Sequence, residues 1–169
     1  MKQQTIIIFE GIDMCGKSTI AKALSLKLEI PIFKMNLPKH FWDFLIHQRY
    51  ATEAITQMFE QTGQSAILDR SFLSDYMYSC LFNRPYDKAT HVLTDERFAK
   101  MNALVVYCYK DEESFQEDTE DADFITMNDY KKMMIHYDLV LDETNCRHIR
   151  LNTSDENLEE QLKTIIANI

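Results

Sequence analysis

Residues that interrupt regular structure are scarce in this chain, which has only three glycines and three prolines among 169 residues. Turn signals are therefore sparse, and helices and strands have to be recognised from the spacing of apolar side chains. The four cysteines show neither C-x-x-C nor Cys/His metal spacing, so they indicate no metal site. We expect most of them to be small core residues in a reducing, cytoplasmic setting.

Excess positive charge and long apolar runs are also lacking. The formal net charge is −9, which argues against a protein that wraps nucleic acid, because such proteins need a basic face. No apolar run reaches transmembrane length and the first residues do not resemble a signal peptide, so we expect no membrane association. Hydrophobic residues make up 46% of the chain, enough for a single domain, residues 1–169, with a sheet covered on both faces.

The most specific pattern lies at residues 11–18, which read GIDMCGKS and match the phosphate-loop pattern G-x-x-x-x-G-K-[ST]. An apolar, β-branched run at 5–9 precedes it and a helical pattern at 18–29 follows, which is the context that the pattern requires. Lys17 would reach the β- and γ-phosphates of a bound nucleotide, and Ser18 would hold Mg²⁺. The phosphates would lie against the backbone N–H groups of the loop and the helix N-terminus. The predicted phosphate-binding residues are Gly11, Met14, Cys15, Gly16, Lys17, Ser18 and Thr19.

Strand and helix patterns alternate along the chain. Further strands are predicted at 30–33, 66–69 and 103–109. Helical patterns occur at 38–61, 72–82 and 94–101. The runs at 138–141 and 148–151 are expected to give one further strand or an edge pair, and a last helix is expected to begin at Ser154. The alternation predicts an α/β fold, the three-layer P-loop NTPase fold, with a central, mostly parallel five-stranded sheet covered by helices on both faces. Ligands of such sheets lie at the carboxyl ends of the strands, where this chain has Gly11, Lys34, Asp69, Arg70 and Lys110.

The segment 111–123 is compositionally biased, with eight carboxylates and neither lysine nor arginine. A solvated surface segment is the simpler interpretation of such a charge run. A mobile segment after the fourth strand can also act as a lid that excludes water from bound phosphates, and we place a lid at about residues 111–125.

Two segments together resemble the thymidylate kinase family. They are FEGIDMCGKST, which ends at Thr19, and LDRS at 68–71, where the family typically has F-E-G-x-D-x-x-G-K-S/T and a third strand that ends in Asp-Arg. The resemblance covers most of residues 4–80 and becomes thin beyond residue 110. It implies a kinase that uses ATP and Mg²⁺ to phosphorylate a pyrimidine deoxynucleoside monophosphate, dTMP or dUMP. It also implies a homodimer built from the helices after the second and third strands.

The resemblance implies catalytic roles for Asp13, Lys17 and Arg70. Asp13 would orient the acceptor phosphate and its Mg²⁺ or water shell. Arg70 would pair with the phosphate of the monophosphate, a task that suits the fork of a guanidinium. Asp69 would act near the metal, together with Ser18. Each residue also has a structural alternative: Asp13 as a turn cap and Arg70 in a structural ion pair.

The acceptor nucleotide would be held by further residues. Arg49 precedes Asp69 by twenty positions, as an arginine does in the family, and would hydrogen-bond a pyrimidine carbonyl. Phe44 or Leu45 would pack on the base. Tyr78 would lie under the sugar and disfavour a 2′-hydroxyl, unless it only packs its helix. Ser74, Asp75 and Lys34 complete the predicted substrate-binding residues, Lys34 standing in for the family's arginine after the second strand.

The chain departs from the family in its arginines. Met14 occupies the loop position where some members have a catalytic arginine, and the acidic segment supplies none. Lys131, Lys132 and Arg147 are the candidate replacements. The nearest alternative is a thymidine-type deoxynucleoside kinase, whose Glu-Arg-Ser resembles Asp-Arg-Ser here. An alcohol acceptor benefits from a carboxylate base, however, and residues 30–40 contain no acid. A catalytically impaired nucleotide-binding module is the third interpretation.

Overall fold

The computed structural model describes residues 4–34, 43–116, 125–155 and 157–169. Its strands are β1 (Ile6–Glu10), β2 (Ile32–Lys34), β3 (Ala66–Asp69), β4 (Leu104–Tyr109) and β5 (Arg147–Asn152). Its α-helices are α1 (Lys17–Leu28), α2 (Asp43–Ile46), α3 (Glu53–Thr62), α4 (Phe72–Leu81), α5 (Lys88–Lys100), α6 (Met127–Glu143) and α7 (Leu158–Ile166). A π-helical segment, His47–Thr52, joins α2 to α3, and a 3-10 turn spans Glu112–Ser114.

The strands form one sheet in the order β2-β3-β1-β4-β5, and every pairing is parallel. All five residues of β1 are buried, as expected for a central strand covered on both faces. In the register, Ile8 lies between Leu68 of β3 and Val105 of β4. Helices surround the sheet, with α1 against α7 and α4 against both α5 and α6. The predicted fold class is therefore confirmed.

Two elements differ from the prediction because a short apolar run does not distinguish strand from helix. Residues 138–141 belong to α6, where Val140 and Leu141 are buried while Leu139 is 57% exposed, which is a helical and not a strand pattern. The fifth strand is β5 alone. α6 begins at a capping box formed by Thr126 and Asp129. The sequence analysis did not use this helix-start signal, because it interpreted residues 138–141 as a strand.

Capping residues place the starts of two helices at positions that differ from the prediction. α5 begins at Lys88 instead of residue 94, because the Asp87 carboxylate accepts hydrogen bonds from the amides of Ala89 and Thr90. α7 begins at Leu158, capped by Asn157, and Ser154 does not open it. None of the described helices is both long and apolar enough to cross a bilayer.

The turn after β1 requires glycine at position 11. Gly11 has φ +133°, and a Cβ there would lie 2.1 Å from the carbonyl oxygen of Cys108 in β4. Gly63 has φ +64° but open space around it. A substitution at Gly63 therefore tests the unfavourable backbone conformation without any steric clash.

We expect Gly63→Ala to cost about 1 kcal/mol of unfolding free energy, because only an unfavourable φ is imposed. Gly11→Ala should cost more than about 3 kcal/mol, since β4 backbone must also move. Urea denaturation of both variants measures the difference. Equal losses would contradict the close approach of the loop to β4.

Candidate active site

The phosphate loop joins β1 to α1 at the carboxyl end of the sheet. Gly16 caps α1 in the left-handed region, at φ 71°, and its carbonyl oxygen accepts from the amides of Thr19 and Ile20. The hydroxyl of Thr153, just after β5, lies 3.1 Å from the carbonyl oxygen of Cys15. The sequence analysis did not single out Thr153, because no motif marks a contact over this separation. The loop is thus held at its end by the start of α1 and from the side by Thr153 after β5.

Other loop residues differ sharply in exposure. Cys15 is fully buried, and burial raises the pKa of its thiol, so it is an inert core residue. Met14 is 50% exposed and adopts a positive φ of 64°. A side chain at position 14 therefore points away from the core.

Lys17 is held inside its own loop. Its side chain is buried, and its Nζ donates to the carbonyl oxygen of Ile12. Burial, followed by the positive charge of Arg70, lowers the pKa of Lys17 to about 8. A phosphate in the loop would raise that pKa again, because negative charge favours the ammonium form.

The two residues predicted to hold the metal lie in contact. Ser18 Oγ donates to Asp69 Oδ2 at 2.9 Å, and Lys34 Nζ lies 3.5 Å from the same oxygen. A hydroxyl and a carboxylate are oxygen ligands of the kind that Mg²⁺ prefers. In the described part of the chain, no group of three or more His, Cys, Asp or Glu is placed to hold a metal ion. The donor set therefore fits an ion that takes most of its ligands from phosphates and water.

Asp13, Arg70 and Tyr78 form a charged cluster beside the loop. Arg70 Nη2 makes an ion pair with Asp13 Oδ1, and the Tyr78 hydroxyl donates to Asp13 Oδ2 at 2.6 Å. The guanidinium carbon of Arg70 lies 4.9 Å from the centre of the Tyr78 ring. Burial acts to raise the pKa of Asp13, but Arg70, Tyr78 and Lys17 together lower it below its usual value. Asp13 is thus an anion at neutral pH.

Arg70 retains capacity for a further anion. Its Nη1 is buried and has no hydrogen-bond partner among the described residues. Burial opposes its charge, yet Tyr78 and Asp13 raise its pKa, so the side chain stays cationic. The backbone at Arg70 is left-handed, at φ +73°, and its amide donates to the Phe9 carbonyl oxygen at 2.9 Å.

Ser74 contacts a residue that the sequence analysis did not assign. Its hydroxyl donates to Glu10, the last residue of β1, and lies 3.3 Å from the Tyr137 hydroxyl. Ser74 is therefore directed into the core and not toward Asp13. The sequence signals for Glu10 were its position at the end of an apolar strand, directly before Gly11, and its place in the F-E-G of the segment that resembles the thymidylate kinase family.

Arg49 is not brought to the Asp13 cluster by any contact within the described residues. It lies in the π-helical segment, is 58% exposed, and pairs through Nε with Asp87 at the start of α5. Leu45 is half-buried on α2. The side chain of Phe44 lies outside the described residues.

Asp75 lines a small cavity of about 10 Å³, with room for roughly one water molecule, next to that ion pair. Its carboxyl has no hydrogen-bond partner in the described ranges, and burial raises its pKa to about 7. Two other polar atoms of the cavity wall, Thr52 Oγ1 and His91 Nδ1, are buried and also lack partners among the described residues. Unsatisfied polar atoms around a cavity indicate a place for a polar ligand.

The candidate replacements for the missing arginine lie in different places. Arg147 starts β5 at the amino edge of the sheet and donates to the Asn102 and Asn168 carbonyl oxygens, so it lies opposite the phosphate loop. Lys132 lies 4.0 Å from Asp129 on its own helix. Lys131 Nζ pairs with Glu112 at 2.7 Å, at the near end of the predicted lid. Most of that lid, residues 117–124, lies outside the described residues.

No family model matches this sequence, and no curated protein matches it. Solved structures do. The YorR protein of Bacillus subtilis, crystallised in complex with phosphorylated GDP, is 23% identical with a TM-score of 0.70, over 96% of this chain and 94% of that one. Deoxyadenosine kinase from M. mycoides with bound dCTP is 18% identical, with a TM-score of 0.61 and 97% of each chain covered. Thymidylate kinase from Candida albicans is 18% identical, with a TM-score of 0.58 over 98% of this chain and 92% of that one. The fold is that of the P-loop nucleotide kinases.

The contact between Tyr78 and Asp13 predicts a change in titration. Tyr78→Phe keeps the ring under Arg70 but removes the hydroxyl that helps to lower the pKa of Asp13, so we expect that pKa to rise toward its usual value. An NMR titration of the Asp13 carboxyl measures it. Tyr50→Phe changes an exposed ring and should leave Asp13 unaltered. The same Asp13 pKa in wild type and Tyr78→Phe would contradict the hydrogen bond.

Proposed function

We propose that this chain is a nucleoside monophosphate kinase that transfers the γ-phosphoryl group of ATP to a pyrimidine deoxynucleoside monophosphate, dTMP or dUMP. The observation that carries the proposal is the second cationic site beside the phosphate loop. Arg70, whose buried Nη1 has no hydrogen-bond partner among the residues that the structure describes, lies next to Lys17, so two phosphate groups would be held side by side. The solved neighbours that were crystallised with GDP or dCTP support a nucleotide ligand.

The reaction would depend on positioning and charge. Lys17 and the loop amides would hold the donor phosphates, and Arg70 with Lys34 would hold the acceptor phosphate in line with them. Mg²⁺, bound near Ser18 and Asp69, would neutralise charge on the transferred group. Asp13 would keep Arg70 oriented. The acceptor oxygen is already anionic, so the transfer needs no general base.

The alternative function, a deoxynucleoside kinase, also has to be tested, because a deoxyadenosine kinase is among the structural neighbours. An alcohol acceptor requires a free carboxylate to take its proton. At the end of β2 the chain has Lys34, which favours an anionic acceptor. The acids beside the loop are engaged: Asp13 by Arg70 and Tyr78, and Asp69 by Ser18 and Lys34.

A coupled assay with ATP, Mg²⁺ and each nucleoside or nucleoside monophosphate tests the proposal. We expect turnover of a monophosphate, and a loss of about 100-fold or more in Lys17→Ala, because the charge on the transferred phosphoryl group is no longer stabilised. Lys22→Ala, an exposed lysine on the same helix, is the matched control and should retain activity. Turnover of thymidine but not of dTMP would contradict the monophosphate kinase proposal. ATP binding without any phosphoryl transfer would favour the catalytically impaired nucleotide-binding module.

A second acceptor class, bases with an exocyclic amino group, is favoured by Asp75. An ionised carboxylate only accepts hydrogen bonds, so it suits the amino group of cytosine or adenine better than the edge of thymine. Arg49 was predicted to hydrogen-bond a pyrimidine carbonyl, but its guanidinium already pairs with Asp87. The small cavity beside Asp75 has room for one polar atom of such a base, at the level of a single amino group or water.

Asp75→Asn tests which side chain contacts the base. The amide both donates and accepts, so we expect the ratio of dTMP to dCMP turnover to rise about tenfold, whichever base the wild type prefers. Assays at pH 8 keep Asp75 ionised, since its pKa is about 7. An unchanged ratio would remove Asp75 from the base site.

The homodimer, the lid at about residues 111–125 and the cytoplasmic setting remain proposals. Lys131 is the one candidate replacement for the missing arginine that lies at the near end of that lid.

A further inference from the structure

Glu10 is a fully buried acid with a defined set of partners. Its side chain is 0% exposed, at the end of β1 and directly before Gly11. Oε1 accepts from the Ser71 amide at 2.9 Å, and Oε2 accepts from the Ser74 hydroxyl. Buried carboxylates are rare unless paired, and this one reaches across from β1 to the start of α4.

The partners of Glu10 surround the strained turn at Arg70. A positive φ of 73° is unfavourable for an arginine, so surrounding contacts must hold it. Two consecutive residues of β1 do so: the Phe9 carbonyl accepts from the Arg70 amide, and Glu10 accepts from the Ser71 amide. Ser71 is the N-cap of α4 and its own side chain makes no capping hydrogen bond, while the carboxylate of Glu10 accepts from the Ser71 amide and places negative charge at the N-terminus of α4.

We propose that Glu10 is a positioning residue, which fixes the Arg70 turn and the start of α4 against β1 so that Arg70 and Tyr78 stay on Asp13. This inference rests on the proposed function, and Glu10 itself touches no substrate. Because Gly11 follows it directly, the same residue sets the distance between the donor loop and the acceptor side of the site.

The charge of Glu10 matters to this role. An ionised carboxylate only accepts, which matches the two donors that face it. Protonation would require the Ser74 hydroxyl to turn and would remove the negative charge from the N-terminus of α4. Burial raises the pKa of Glu10 to about 7, and the charged or titratable groups that face it are Arg70, Asp75 and Tyr137. The positioned state is thus present above pH 7 and is lost below it.

Glu10→Gln is the test, because glutamine has the same shape and is neutral at every pH. The measured quantity is the KM of the acceptor monophosphate in Glu10→Gln divided by that in wild type. We expect this ratio to be about tenfold at pH 8 and near one at pH 6, where both side chains are neutral. Lys17 and the acceptor phosphate titrate in both proteins, so the ratio cancels them. The KM for ATP should change less than about twofold, since the loop contacts remain.

Asp95→Asn is the matched control. Asp95 is another buried carboxylate, and it accepts from the Asn145 amide at 2.9 Å and from the Thr144 hydroxyl, away from the site. We expect it to lower the melting temperature as Glu10→Gln does, with a KM ratio near one at both pH values. Should Glu10→Gln not fold, Ser74→Ala replaces it. That variant removes a hydrogen bond that lowers the pKa of Glu10, so the pH dependence should move above pH 7.

A ratio near one at pH 8, or the same elevated ratio at both pH values, would overturn the positioning role. For Ser74→Ala, an unshifted pH dependence would do the same. Turnover of a monophosphate by the wild type would still uphold the proposed function in those cases. If the wild type phosphorylates no monophosphate, the proposed function fails and the role of Glu10 fails with it.

Discussion

The parallel pairing of β1 between β3 and β4 is the constraint on which the rest of the site depends. It sets Phe9 beside Asp69, so the chain leaves both strands at the same edge of the sheet. The phosphate loop and the Asp69-Arg70 turn therefore emerge next to one another. The first four residues of β1 are apolar and buried, which stabilises this pairing, and the glutamate at its end hydrogen-bonds to the start of α4.

The strands and the phosphate loop could be predicted because their signals are local. A short apolar run favours a strand when it is rich in β-branched residues and ends at a turn motif, as residues 5–9 do, and β3 has the predicted bounds, Ala66–Asp69. Asp69 could be placed at the carboxyl end of its strand, where ligands collect, and the family resemblance gave it a role near the metal together with Ser18. The strand predicted at 138–141 was wrong because three consecutive apolar residues, Leu139 to Leu141, fit either a strand or part of α6.

The remaining site residues depend on contacts that no local pattern records. The twenty-residue spacing between Arg49 and Asp69 carries no information about Asp87, which comes from another helix and competes for the guanidinium. Thr153 could not be found for a similar reason: its partner lies far away along the chain, and an ordinary threonine has no motif. Glu10 does lie in the F-E-G segment, but its partner Ser71 is 61 positions away, so the sequence did not reveal its contacts. Long-range hydrogen bonds are fixed by the fold and not by the neighbouring sequence.

The hydrogen bond from Thr153 to Cys15 joins residues that are 138 positions apart. During synthesis, Thr153 therefore leaves the ribosome 138 residues after the loop. The loop remains without this support until β5 has joined the sheet beside β4. A complete phosphate site would then form only once this sheet is complete, and a nucleotide that binds it would stabilise the finished domain over its unfinished precursors.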